Sequence, residues 1–204
     1  MKYEKFIIDG EEISIPRPES YKDCFTLIKS DRYRFSGKVD SVLKIILDNL
    51  MPFKKRTLFW YRLSLYKGIL YPFSLFMLKM ACAKNHTNLR PCIRIGYGFY
   101  MGLSTSIYIN PRTIIGNNVN VSQFLNMGTN HETASMVGNN VYIGPMTCVV
   151  ENPQIGSNAT IGAGSIVIKD IPSNATAVGV PAKVINYTTP ARYIVNPWPL
   201  PEDK

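Results

Sequence analysis

An aliphatic residue recurs at every sixth position through Ile155, Ile161 and Val167, and Gly follows the first two of these. A period of six matches neither the 3.6 of a helix nor the 2 of an isolated strand, and it requires a coil of short strands joined by turns. The same spacing is found upstream at Ile95-Gly96, Met101-Gly102 and Ile107. It slips by two at Pro111-Arg112, resumes at Ile115-Gly116, Val121 and Met127-Gly128, then breaks again over Thr129 to Met136. Val137-Gly138, Ile143-Gly144 and Val149 restore it. Three hexads make a triangular coil of about 18 residues, so the chain is read as mainly β, a parallel β-helix of hexapeptide repeats. The aliphatic residues stack inward, and Val119, Val141, Thr147, Ala159 and Ser165 fill the remaining interior. Asn117-Asn118, Asn139-Asn140 and Ser157-Asn158 fall at corners, where positive φ is least costly for Asn and Gly. Turns alone account for these residues, so function is sought where the rhythm breaks.

Ahead of the coil the pattern differs. Phe6 to Ile15 alternates around Asp9-Gly10 and predicts a hairpin, ended by Pro16 and Pro18. From Ser20 to about Lys84 the apolar spacing is helical. Tyr21, Phe25, Leu27 and Ile28 mark one helix, and Val42 to Leu50 a second, stopped by Pro52. Leu58 to Tyr66 and Ile69 to Ala83 mark two more, with Pro72 near a start and His86 at an end. This divides the chain into an N-terminal α-helical region (1–87), a β-helix (88–186) and a proline-rich tail (187–204), expected to wrap a neighbour or lie loosely ordered.

With 46% apolar and 18% charged residues, the chain has a core and is not disordered. Its net charge of +9 admits an anionic partner. The cations concentrate in the first half, at Lys54, Lys55, Arg56, Arg62, Lys67, Lys79, Lys84, Arg90 and Arg94. They form no nucleic-acid recognition module, so nucleic acid is not expected as a partner. Cys24, Cys82, Cys92 and Cys148 show no metal-ligand spacing, and only His86 and His131 accompany them, so no metal is expected. Buried free thiols in a reducing cytosol are the expectation. Met1 to Lys5 does not read as a secretory leader. The apolar run Gly68 to Ala83 is too short to span a bilayer and reads as a core or oligomer-facing helix, with a peripheral membrane contact as the minor alternative.

Residues 88–186 resemble the hexapeptide-repeat acyltransferases, which implies a left-handed β-helix assembled as a homotrimer. The resemblance is most specific in Ile161-Gly162-Ala163-Gly164-Ser165-Ile166-Val167-Ile168-Lys169-Asp170-Ile171-Pro172 and in Ala177-Val178-Gly179-Val180-Pro181-Ala182-Lys183. These look like the family's closing coil and coenzyme A signature. Asn88 to Gly98, Leu27 to Arg34 and Phe59-Trp60-Tyr61-Arg62 are similar to the serine acetyltransferase branch and its relatives in polysaccharide gene clusters. The resemblance implies acetyl-CoA as donor, with Gly144, Ala163 and Gly164 along its pantetheine arm and Lys169 and Lys183 on its phosphates. Pro145 departs from the pattern, because it has no amide hydrogen to donate.

Acyl transfer to a hydroxyl needs a base, and His suits neutral pH. In that branch the base follows the first coil; here the position holds Leu103, and the branch's second histidine aligns near Ala134. The break Thr129-Asn130-His131-Glu132-Thr133 supplies the other candidate, in a placement similar to that of the galactoside and xenobiotic acetyltransferases. Asn130 and Glu132 flank the acceptor, and Glu132 or a backbone carbonyl orients the His131 ring. The expectation is a cytoplasmic, acetyl-CoA-dependent O-acetyltransferase acting on a sugar, glycan precursor or other small molecule, docked near a membrane-linked substrate. The alternatives are a serine O-acetyltransferase and a catalytically silent scaffold.

Overall fold

The computed structural model describes residues 1–50 and 57–200. Pro52, the expected helix stop, and the basic residues Lys54, Lys55 and Arg56 lie outside them. The chain opens with an antiparallel pair, β1 (Lys2–Ile8) and β2 (Glu11–Arg17). Asp9 and Gly10 both take positive φ at the turn between them, the two-residue geometry that matches strand twist. β2 runs past Pro16, which pairs with Tyr3 in a sheet of only two strands, where a missing N–H can face away from the partner.

Four helices follow. In α1 (Tyr21–Ser36), Ser20 caps the first turn by accepting from the Asp23 amide, and Gly37 closes the last at φ 66°. α2 is Val42–Leu50 and α3 is Thr57–Leu63. α4 is Tyr71–Asn85, with Pro72 in its first turn and His86 left-handed at its end, φ 50°. Ile45 of α2 joins Cys24, Ile28 and Leu63 in a small helical core.

The rest of the chain is a parallel β-helix of three faces. The first face stacks Arg94–Ile95, Ile114–Ile115, Met136–Val137 and Gln154–Ile155. The second stacks Tyr100–Met101, Asn120–Val121, Tyr142–Ile143, Thr160–Ile161 and Thr176–Gly179, and a terminal antiparallel strand, Ala182–Asn186, closes it. The third stacks Tyr108–Ile109, Asn126–Gly128, Cys148–Val150 and Ile166–Val167. Tyr142 pairs with Thr160, 18 residues on, as the hexads require. Tyr100 and Asn120 are 20 apart and Asn120 and Tyr142 are 22 apart, so the two breaks in the rhythm are extra residues bulging at corners. The expected interior residues Val119, Val141, Thr147, Ala159 and Ser165 are fully buried.

Polar groups on α1 and α3 hold the helices to the first coil. Asp31 accepts both Arg62 Nε (2.8 Å) and Nη2 (2.9 Å), and also the Phe99 amide (2.8 Å). Arg62 donates onward to the carbonyls of Ile95 and Gly96, and Ser30 Oγ accepts the Gly98 amide. Arg34 donates to the Gly98 carbonyl, Asn120 and the Val195 carbonyl; burial lowers its guanidinium to about 10, still charged at neutral pH.

The chain covers two of its three faces. The β1–β2 hairpin lays Ile8, Ile13, Ile15 and Phe6 on Ile114 and Met136 of the first. The tail lies on the second and its corner with the first. Asn120 Nδ2 donates to the Tyr193 carbonyl, Asn118 exchanges two hydrogen bonds with the Trp198 backbone, and Tyr193 packs on Tyr142. The tail, expected to lie loosely ordered or to wrap a neighbour, makes these contacts with its own chain. Among the described residues no such layer crosses the third face, where Tyr108, Val150 and Ile168 are exposed.

Candidate active site

Both corners bordering the third face carry residues singled out by the sequence. At the corner leading out of it, the 129–135 loop is stitched down from below. Glu151, one coil further on, accepts the Asn130 amide and Thr129 Oγ1 at its Oε2, each at 3.2 Å. The register brings this about, because Val150 pairs with Gly128. From the preceding coil, Arg112 donates to the His131 carbonyl. His131 stays 63% exposed, with Nε2 3.3 Å from Glu151 Oε2. The Asn130 amide bond outweighs the small effect of burial and, with Thr129 and His131, holds the Glu151 carboxyl below its ordinary value of 4.5. It is therefore an anion at neutral pH. With the Nε2 proton turned to that carboxylate, Nδ1 carries the lone pair.

The carboxylate beside the His131 ring is that of Glu151. Glu132 is exposed and makes no ion pair with His131 among the described residues. Asn130 takes part through its backbone amide. An 18-residue count from Thr129 falls four short of Glu151, and only the lengthened coil that pairs Gly128 with Val150 places it there.

At the corner leading into the third face, Ser106, Phe124, Met146 and Gly164 sit one above another, all at φ between 51° and 68°. Of the amides expected along a pantetheine arm, Gly144 donates to the Ile161 carbonyl and Gly164 to the Pro145 carbonyl, so both are spent in the ladder. Ala163 is exposed, and its amide donates to no acceptor among the described residues. A Cβ on Gly144 would fall 2.7 Å from that nitrogen. One free amide in a cradle kept open by glycine fits a thioester's amide-bearing arm. Lys169 and Lys183 are exposed on the last coil and the terminal strand, without a carboxylate partner among the described residues. Leu103 is 65% exposed and left-handed at φ 52°, while Ala134 is buried.

Among the described residues no group of His, Cys, Asp and Glu could hold a metal ion, and no helix is long and apolar enough to cross a membrane. The expectation of buried thiols holds for Cys24, whereas Cys92 is exposed.

No protein-family model matches the chain. It is similar to the serine acetyltransferase of Buchnera aphidicola subsp. Schizaphis graminum, 32% identical over 154 residues, which cover 72% of this chain and 59% of the relative. The serine acetyltransferase of Buchnera aphidicola subsp. Acyrthosiphon pisum is 31% identical over 125 residues, 59% of this chain and 46% of the relative. The chain thus spans less than two thirds of these curated relatives. Among solved structures, serine acetyltransferase from Neisseria gonorrhoeae superposes with a TM-score of 0.62 at 26% identity, over 81% of this chain and 66% of that one. That from Brucella abortus strain S19 gives 0.64 at 23% identity, over 81% and 68%. The hexapeptide-repeat acyltransferase resemblance therefore extends to the solved fold. The sugar or glycan acceptor expected from the sequence is not the one these relatives' names carry.

Proposed function

We propose that this protein is an acetyl-CoA-dependent O-acetyltransferase whose general base is His131. The observation that carries this reading is the His131–Glu151 pair, an exposed imidazole with Nε2 against a carboxylate. Acetyl-CoA supplies the acetyl group as a thioester. The Ala163 amide donates to a carbonyl of its arm, and Lys169 and Lys183 meet its phosphates as point charges. His131 Nδ1 takes the proton from the acceptor hydroxyl as the oxygen attacks, and returns it to the departing thiol. Glu151 holds the ring through its Nε2.

The relatives' names make serine the acceptor to test first. Leu103 and Ala134 stand where that branch keeps histidines, so the proton chemistry passes to the 129–135 loop. Within one chain the third face separates His131 from Ala163, and a neighbouring copy laid against that face brings one chain's base to another's donor corner. A homotrimer meets this requirement.

Thiol release from acetyl-CoA with serine as acceptor, and with simple sugars alongside, tests the reading. Turnover with either, lowered by about 10²–10⁴-fold in His131→Ala while coenzyme A still binds, is the expected result. Unchanged turnover in that variant overturns the role of His131, and no turnover with any acceptor favours a silent scaffold.

A further inference from the structure

A cavity of about 710 Å³ opens between α4, the end of β2 and the first turn of the β-helix, remote in sequence from the residues assigned above. Its volume lies in the range of small-molecule sites. Leu65, Leu75, Leu78 and Leu89 line its apolar part, with Leu78 and Leu89 buried. Arg17, Lys67, Lys79 and Arg90 stand around it, and no carboxylate is among the lining residues. Glu4 lies 3.5 Å from Arg17, but Lys67, Lys79 and Arg90 have no carboxylate partner among the described residues. Arg90 reaches only Asn88, at 3.4 Å.

Three cations without a carboxylate partner among the described residues stand around an aliphatic pocket and repel one another. An anion relieves this, and the leucines favour one that brings its own apolar body. We infer that this cavity binds an amphiphilic anion, an aliphatic chain ending in a phosphate monoester. Lys67, just ahead of α4, and Lys79, within it, hold the head as point charges. The chain lies along the four leucines. Such a head carries close to two negative charges at neutral pH, which suits the three cations better than one carboxylate does. The site is independent of the acetyl-transfer reading.

Calorimetric titration of the full chain with dodecyl phosphate, below its micelle-forming concentration, tests this. One molecule per chain is expected, bound at least about tenfold more tightly than dodecanol or inorganic phosphate. The exposed thiol of Cys92 lines the cavity, so bound dodecyl phosphate slows its alkylation, located by mass spectrometry. Lys67→Gln with Lys79→Gln, two exposed positions, weakens binding by about tenfold or more and leaves the melting temperature unchanged. Equal binding of dodecanol makes this an apolar surface only, and equal binding of inorganic phosphate a bare anion site; either overturns the inference. So does an unprotected Cys92, or affinity untouched by the double variant.

Discussion

Glu151 ties three backbone and side-chain groups of one loop to a single carboxylate, at φ 69°. Its pKa is lower in the folded chain than its ordinary 4.5, so its contribution is complete above that value and disappears as pH falls through the lowered one. Hydrogen exchange of the Asn130 amide should therefore stay protected at pH 5 and open only on further acidification. Glu151→Gln should remove that pH dependence. His131 was legible because it stands in a break of the rhythm. Glu151 was not, because its contact crosses a coil lengthened by the same break, and the count from Thr129 comes to 22 residues instead of 18. Gly164 offers a clean test at the same scale. Nothing lies within 4 Å of where its Cβ would be, so Gly164→Ala should cost about 1–2 kcal/mol in denaturant unfolding through its φ of 68° alone.

Among the elements, α1 shows what apolar periodicity hides. Asp9-Gly10 and Pro72 announced a turn and a first helical turn through local chemistry, and the structure places each there. The face of α1 that meets the β-helix is Ser30, Asp31 and Arg34, all buried and polar. A search for apolar spacing reads that face as solvated. Its partners are the backbone of Gly98, Phe99 and Val195 and the side chains of Arg62 and Asn120, which only the fold presents. Burial pushes the Asp31 carboxyl upward, and the Arg62 fork and the Phe99 amide work against it. Asp31→Ala leaves Arg62 charged and fully buried without its partner. The expected loss is about 3–5 kcal/mol, read as an earlier midpoint in urea. The conservative Asp31→Asn should recover part of it, because an amide oxygen still accepts from Phe99.

For the whole molecule, the hexads foretold a three-faced coil but not which face stays bare, since the repeat is equivalent on all three. That choice belongs to the hairpin and the tail, whose resting places depend on contacts such as Asn118 with Trp198, 80 residues apart. Phe124 and Met146 are more than half exposed at left-handed corners beside the bare face. If that face joins copies into a trimer, light scattering should give three times the chain mass, and Met146→Glu should lower both the mass and the turnover. A monomeric parent protein with full turnover would remove the need for a shared site.

The hairpin also sets a length. Glu4 meets Arg94 in the first coil, at 3.1 Å, while at the turn Asp9 accepts the amide and hydroxyl of Ser173 in the last and donates its own amide to Gln154. The five residue steps from Glu4 to Asp9 extend about 17 Å, and four steps between stacked strands take about 19 Å, the side chains making up the rest. A repeat that could otherwise gain or lose a coil at little cost is thus gauged by a ruler from the same gene. Adding an 18-residue coil should be tolerated only when β1 and β2 each grow by one or two residues.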